Sequence, residues 1–125
     1  MKAFLDTHAA VALWSGDTDA FGPRSQDLLE RSALFVSPVV RLELALLKEV
    51  GRLNVTADEI LNALDVDCGV RLAEDPVSLV VDRAMPLHWT RDPFDRLLVA
   101  TAMLHKAPLV TRDTLIREHF EDAVW

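Results

Sequence analysis

Short strand-like and helix-like segments alternate along this chain from end to end, and that alternation constrains the fold more than any other feature. Residues 2–5, 34–36, 70–73, 108–111 and 123–125 read as short strands. The stretches between them, 7–14, 23–32, 38–50, 56–65, 75–85, 94–106 and 114–120, read as helices. The helix starts carry their own chemistry. Pro23 suits a first helical position, Ser37-Pro38 reads as an N-cap followed by proline, and Thr56 with Glu59 forms a capping box. Asp75-Pro76 and Asp92-Pro93 open the next two helices, and Gly51 stops the helix before it. Strands joined through helices need crossover connections and pair in parallel. The predicted fold class is therefore α/β: a three-layer α/β/α sandwich with a short parallel sheet.

At 125 residues the chain fits a single domain, residues 1–125, without linker or repeat. Its one cysteine, Cys68, excludes an internal disulfide framework and a multi-cysteine zinc site and agrees with a reducing, cytoplasmic location. No apolar run approaches the roughly 18 residues of a membrane span. Asp6 interrupts the only N-terminal stretch that could suggest a signal peptide. The net charge of −7 argues at first against nucleic acid.

The placement of the acids says more than their number. On an idealised wheel of residues 38–50, Val39, Val40, Leu42, Leu44, Leu46, Leu47 and Val50 form one broad arc, and Glu43 lies near its middle. A carboxylate there must be neutral, paired with a base such as an arginine, or bound to a cation. Asp95 sits on a helix apolar almost all round, stacked with Leu98, Val99 and Ala102, although it also suits the third position of a helix that Asp92 caps. Asp6 and Asp113 each follow a strand. There they either cap the next helix or face the crevice where parallel sheets bind ligands. Four carboxylates in one crevice repel one another unless a cation sits among them. Oxygen-only ligands point to Mg²⁺ or Mn²⁺, which serve phosphoryl chemistry.

Leu5-Asp6-Thr7-His8, the Ser37 to Glu43-Leu44 helix, Arg91-Asp92-Pro93-Phe94-Asp95-Arg96-Leu97-Leu98-Val99-Ala100 and Leu109-Val110-Thr111-Arg112-Asp113 together resemble a PIN-domain ribonuclease of the VapC toxin type, over nearly the whole chain. The resemblance implies a cluster of Asp6, Glu43, Asp95 and Asp113 that binds Mg²⁺ or Mn²⁺ and cuts single-stranded RNA. It also implies a cognate antitoxin and a homodimer; the helices at 38–50 and 76–85 are the candidate surfaces. Asp92 reads as a cap and stays outside the cluster. Arg91, Arg96 and Arg112 are candidate phosphate guides, Thr111 or Ser37 could orient a liganding carboxylate, and His8 reads as structural. Trp14, Trp89 and Trp125 read as core or interface.

Two other α/β enzymes are eliminated. A haloacid-dehalogenase phosphatase needs a second aspartate where His8 stands, and a receiver domain needs a mid-chain aspartate that residues 53–57 lack. The remaining alternative is a non-catalytic protein-binding module whose acids are only helix caps. The charge also divides. Residues 53–75 alone carry six acids against one base. Without them and the four candidate ligands, ten acids face twelve bases, so the acidity no longer excludes RNA.

Overall fold

In each strand of the computed structural model, which describes residues 1–125, successive side chains serve opposite faces of the sheet. The strands are β1 (Lys2–Leu5), β2 (Ala33–Val36), β3 (Arg71–Leu72), β4 (Leu109–Val110) and β5 (Ala123–Val124). They form one sheet in the order β3-β2-β1-β4-β5, and every pairing is parallel. The helices are α1 (Thr7–Ser15), α2 (Pro23–Arg31), α3 (Pro38–Glu49), α4 (Ala57–Cys68), α5 (Val77–Ala84), α6 (Pro93–Leu104) and α7 (Thr114–His119), with a 3₁₀ turn at Thr18–Ala20.

Ala3, Leu5, Leu34, Val36 and Val110 point to one face and pack under Ala9 and Ala10 of α1, Val40 and Leu44 of α3, and Ile60 and Leu64 of α4. Phe4, Leu109 and Ala123 point to the other and meet Val99 and Ala102 of α6 and Ile116 of α7. Helices on both faces of a parallel sheet make the three-layer sandwich expected from the alternation. Ile60 is fully buried in the first of these cores. Ile60→Ala should lower the unfolding free energy by about 2 to 5 kcal/mol, readable by urea denaturation.

Four local expectations need correction. The helix that starts at the Thr56 cap does not stop near residue 65. It continues to Cys68, because Gly69 adopts the left-handed conformation (φ 68°) and caps the helix from there. Asp75 does not open α5, which begins at Val77 with Pro76 in the cap position and no side-chain cap. Its carboxylate instead lies 2.8 and 3.0 Å from Nε2 of His105 at the end of α6. The strand at 70–73 shortens to the two exposed residues of β3. The apolar arc of α3 is only partly core: Leu42, Leu46 and Val50 are exposed. Glu43 therefore lies at the margin of the buried surface, half-buried, and not in its middle.

Candidate active site

The chain steps outward from β1 through β2 to β3 and then returns to lay β4 on the other side of β1. The order thus reverses between β1 and β4, and ligands of open parallel sheets bind beyond the carboxyl ends of the strands at such a switch point. Phe4 pairs with Leu109 and Leu5 with Val110, so Asp6 and Thr111 leave the sheet side by side.

Each acid is fixed by the helix it starts or rides on. Asp6 is buried and caps α1, its Oδ1 accepting from the Ala9 N–H at 2.7 Å. Asp113 caps α7, with Oδ1 accepting from Ile116 N–H at 3.0 Å. Asp92 caps α6 by accepting from the Phe94 and Asp95 N–H groups at 2.8 and 3.3 Å. Asp95 rides in the first turn of α6 and is half-buried. Glu43 is carried in by α3, which Ser37 caps through the Val39 N–H at 3.2 Å. The capping reading of Asp6 and Asp113 is thus correct, but each cap occupies one carboxylate oxygen and leaves the other for a ligand.

Their electrostatics show how closely they crowd. Burial pushes Glu43 from its ordinary 4.5 up to about 7, with Asp95, Asp6 and Asp92 adding to the rise. Burial likewise moves Asp95 from 3.8 to about 6, helped by Asp92, Asp113 and Asp6. Asp6 is raised too, chiefly by burial, against the pull of the Thr111 hydroxyl, the Ala9 N–H and His8. No arginine or lysine relieves this crowding; the one basic side chain acting on it is the exposed His8, beside Asp6. The ion pairs of the molecule are Arg31–Asp27, Arg41–Asp58 and His105–Asp75, and none includes a site carboxylate. Arg41, on the same helix as Glu43, gives both its bonds to Asp58. Buried-pair neutralisation by an arginine is therefore absent.

Glu43 Oε1 and Thr7 Oγ1 are both buried without a hydrogen-bond partner. The Thr7 hydroxyl lies near enough to lower the Glu43 carboxyl slightly, yet falls short of a formed bond. An orphaned carboxylate oxygen among carboxylates, with hydroxyls at the margin, suits a hard divalent cation such as Mg²⁺ or Mn²⁺. The acids act on one another electrostatically, yet no three of them form a ready-made metal cage.

The flanking residues sort differently from expectation. Arg96 is engaged by the backbone: its Nε donates to the Thr90 carbonyl at 2.8 Å and its guanidinium reaches the Met85 carbonyl at 3.4 Å, clamping the α5–α6 connection. Arg91 and Arg112 are exposed. His8 is exposed beside Asp6 and has no structural hydrogen bond, contrary to the structural reading. Thr111 is fully buried; its Oγ1 accepts from the Asp113 N–H at 3.1 Å, and its hydroxyl lies near enough to Asp6 to lower that carboxyl. Trp89 stacks on His119 and Trp125 packs on Phe21, while Trp14 is partly exposed. Sequence reasoning missed Thr7, because a threonine opening a helix carries no signal until its burial is known.

The PIN-domain model matches residues 3–119. The chain belongs to the PIN-domain family. This PIN domain is 30% identical over 117 residues to Ribonuclease VapC22 of Mycobacterium tuberculosis, covering 92% of this chain and 89% of that relative, which places it in the VapC group. Among solved structures it superposes on VapBC2 from Rickettsia felis bound to a DNA fragment from their promoter, with a TM-score of 0.67 and 16% identity. That alignment covers 100% of this chain and 98% of the other. A toxin–antitoxin complex from Klebsiella pneumoniae gives a TM-score of 0.65 at 19% identity, covering 98% and 96%. At those identities the structural likeness speaks to the fold.

Proposed function

We propose that residues 1–125 act as a single PIN domain, an endoribonuclease toxin that hydrolyses phosphodiester bonds of single-stranded RNA with Mg²⁺ or Mn²⁺. The observation that carries this reading is the crowding of Asp6, Glu43, Asp95 and Asp113 at the switch point with no ion pair to neutralise any of them. Asp6, Glu43 and Asp95 would hold the cation, and Asp113 would bind it directly or through water. When bound, the cation supplies charge neutralisation at a phosphate oxygen and a more acidic water.

The chain's own residues do the rest. Thr111 holds the Asp113 backbone through its Oγ1 and keeps its hydroxyl close to Asp6. The Asp92 cap fixes the first turn of α6 and with it Asp95. Arg91 and Arg112, exposed on either side, attract the flanking phosphates. A capping-only binding module explains Asp6, Asp92 and Asp113 but not Glu43 and Asp95, which cap nothing and are held partly neutral by burial.

The test is cleavage of a mixed RNA pool with Mn²⁺ or Mg²⁺ against the same reaction in chelator. Metal-dependent cutting is expected, and cutting that survives chelation would overturn the reading. The antitoxin related to such toxins is the proposed partner, and a homodimer is the proposed assembly. Exposed Leu42, Leu46 and Val50 on α3 and Val77, Val81 and Met85 on α5 give these partners apolar surface. A protomer mass by light scattering, without antitoxin, would count against the dimer. No helix is long and apolar enough to cross a membrane, and a cytoplasmic location is proposed on the toxin reading.

A further inference from the structure

A basic basin lies at the amino-terminal ends of β1, β4 and β5, the opposite strand ends from the acids. It is a cavity of about 560 Å³ whose lining includes Lys2, Arg24, Arg31, His105 and Lys106. Its only carboxylates are Asp27 and Asp122, and Asp27 is already engaged by Arg31 at 2.6 Å. In a chain of net charge −7, such a concentration of bases runs against the average. Arg24 and Lys106 are exposed and in no ion pair. Lys2 has no carboxylate partner either: its Nζ lies 3.5 Å from His105 Nδ1, whose other nitrogen faces Asp75, and 5.3 Å from the centre of the Phe35 ring.

Lys106 adds a backbone observation. It is the one non-glycine residue with positive φ, 49°, where glycine or asparagine is the easier choice. The turn that ends α6 therefore accepts strain at the position where it presents a lysine to the basin.

The basin also connects with the acids. A second groove of about 380 Å³ is lined by Arg24 and Arg117 together with Thr114, Glu118, Glu121 and Ala123. Arg24 belongs to both cavities, and Thr114 directly follows Asp113. Arg117, Arg24 and then Lys2 with Lys106 thus mark a route from α7, which Asp113 caps, to the amino-terminal ends of the strands.

Affinity for a nucleic-acid strand comes mainly from phosphate neutralisation, and the acidic edge itself repels phosphates. Arg41 and Arg96 are committed elsewhere, to Asp58 and to backbone carbonyls. We propose that the Arg117–Arg24–Lys106 track binds the backbone phosphates of the RNA on one side of the scissile bond, a second contact region distant from the acids. The proposal rests on the ribonuclease reading for its ligand. A track that offers lysine and arginine but no Phe, Trp or Tyr on which a base could stack would grip the backbone without reading bases.

The test uses fluorescence anisotropy in the Asp95→Asn background with single-stranded RNA probes of about 6 and about 30 nucleotides, spanning the usual site sizes. The double variant Arg24→Gln, Lys106→Asn removes two bases, and asparagine suits the positive φ. Affinity for the long probe should fall about tenfold and its salt slope should shrink by roughly 1.4, two phosphates at about 0.7 each. Affinity for the short probe should change less than twofold. A control, Lys48→Gln with Arg52→Gln on the α3 side, removes the same charge away from the track and should leave both affinities unchanged.

An unchanged long-probe affinity, or an equal loss in the control, would overturn the track. Track-dependent binding with no cleavage by the unmodified protein in Mn²⁺ would keep the track and remove the ribonuclease reading. Absence of any RNA binding would remove both.

Discussion

Asp95→Asn should cut RNA at about 10²- to 10³-fold below the unmodified protein, a barrier change of roughly 3 to 4 kcal/mol, in a single-turnover assay with saturating Mn²⁺. The substitution is nearly isosteric, and the Asp92 cap that sets the first turn of α6 is untouched, so the loss is chemical and not a loss of fold. It removes a carboxylate from a space that Glu43 and Asp6 also face and so weakens the hold on a divalent cation. Arg96→Lys gives the contrasting control. Arg96 clamps backbone carbonyls, so its loss should lower the melting temperature while leaving kcat largely intact. Equal cleavage by Asp95→Asn and unmodified protein would sink the metal-site assignment.

How much of this was legible beforehand depended on the kind of signal. The alternation of segments carries the whole sheet, because a parallel sheet permits few topologies and each connection here is a helix. The caps were equally legible: Ser37, Thr56, Asp92 and the prolines after Ser37 and Asp92 all work as their chemistry requires. Asp75 failed as a cap because His105, thirty residues away, competes for the same carboxylate, and no local pattern records that. Gly69 extends α4 by a turn because a left-handed cap can stand anywhere a glycine follows a helix-compatible run.

Within the site, Glu43 was visible because a charge on an apolar arc is out of place. Its true depth was not, since the wheel cannot tell which part of an apolar arc the sheet covers. Leu42, Leu46 and Val50 form the uncovered part. The structural share of Arg96 was hidden for a related reason: an arginine beside an acidic motif reads as substrate-facing until its bonds to the Thr90 and Met85 carbonyls are seen. Thr7 and Thr111 gain their meaning only from burial against the acids.

Glu43→Gln should make the metal-free protein more stable, not less. In the folded state Glu43 binds its proton more tightly than in the unfolded chain, about 7 against 4.5, so the native state holds the extra proton over that interval. Stability linked to this group is therefore full below about pH 4.5 and fades as pH rises through 7. Asp95 contributes in the same direction between 3.8 and about 6. Glutamine keeps the size, carries no charge and brings an N–H₂ that can donate to Asp6 or Asp95. Because water reaches this half-buried group, the gain at pH 8 is about 1 to 2 kcal/mol, less than the full shift implies, or roughly 3 to 8 °C in melting temperature.

The gain should vanish near pH 4.5, and it should reverse when Mn²⁺ is added. A cation that binds only the folded protein stabilises it by about 2.7 kcal/mol at a hundredfold excess over Kd, and the variant would forfeit most of that. Calorimetric melts of both proteins at two pH values, with Mn²⁺ and with chelator, separate the terms. A variant that melts lower than the unmodified protein in chelator at pH 8 would mean that Glu43 already has a favourable partner in the fold. Site carboxylates kept at a stability penalty that a divalent cation would release are what a binding module with merely structural acids would have no reason to retain.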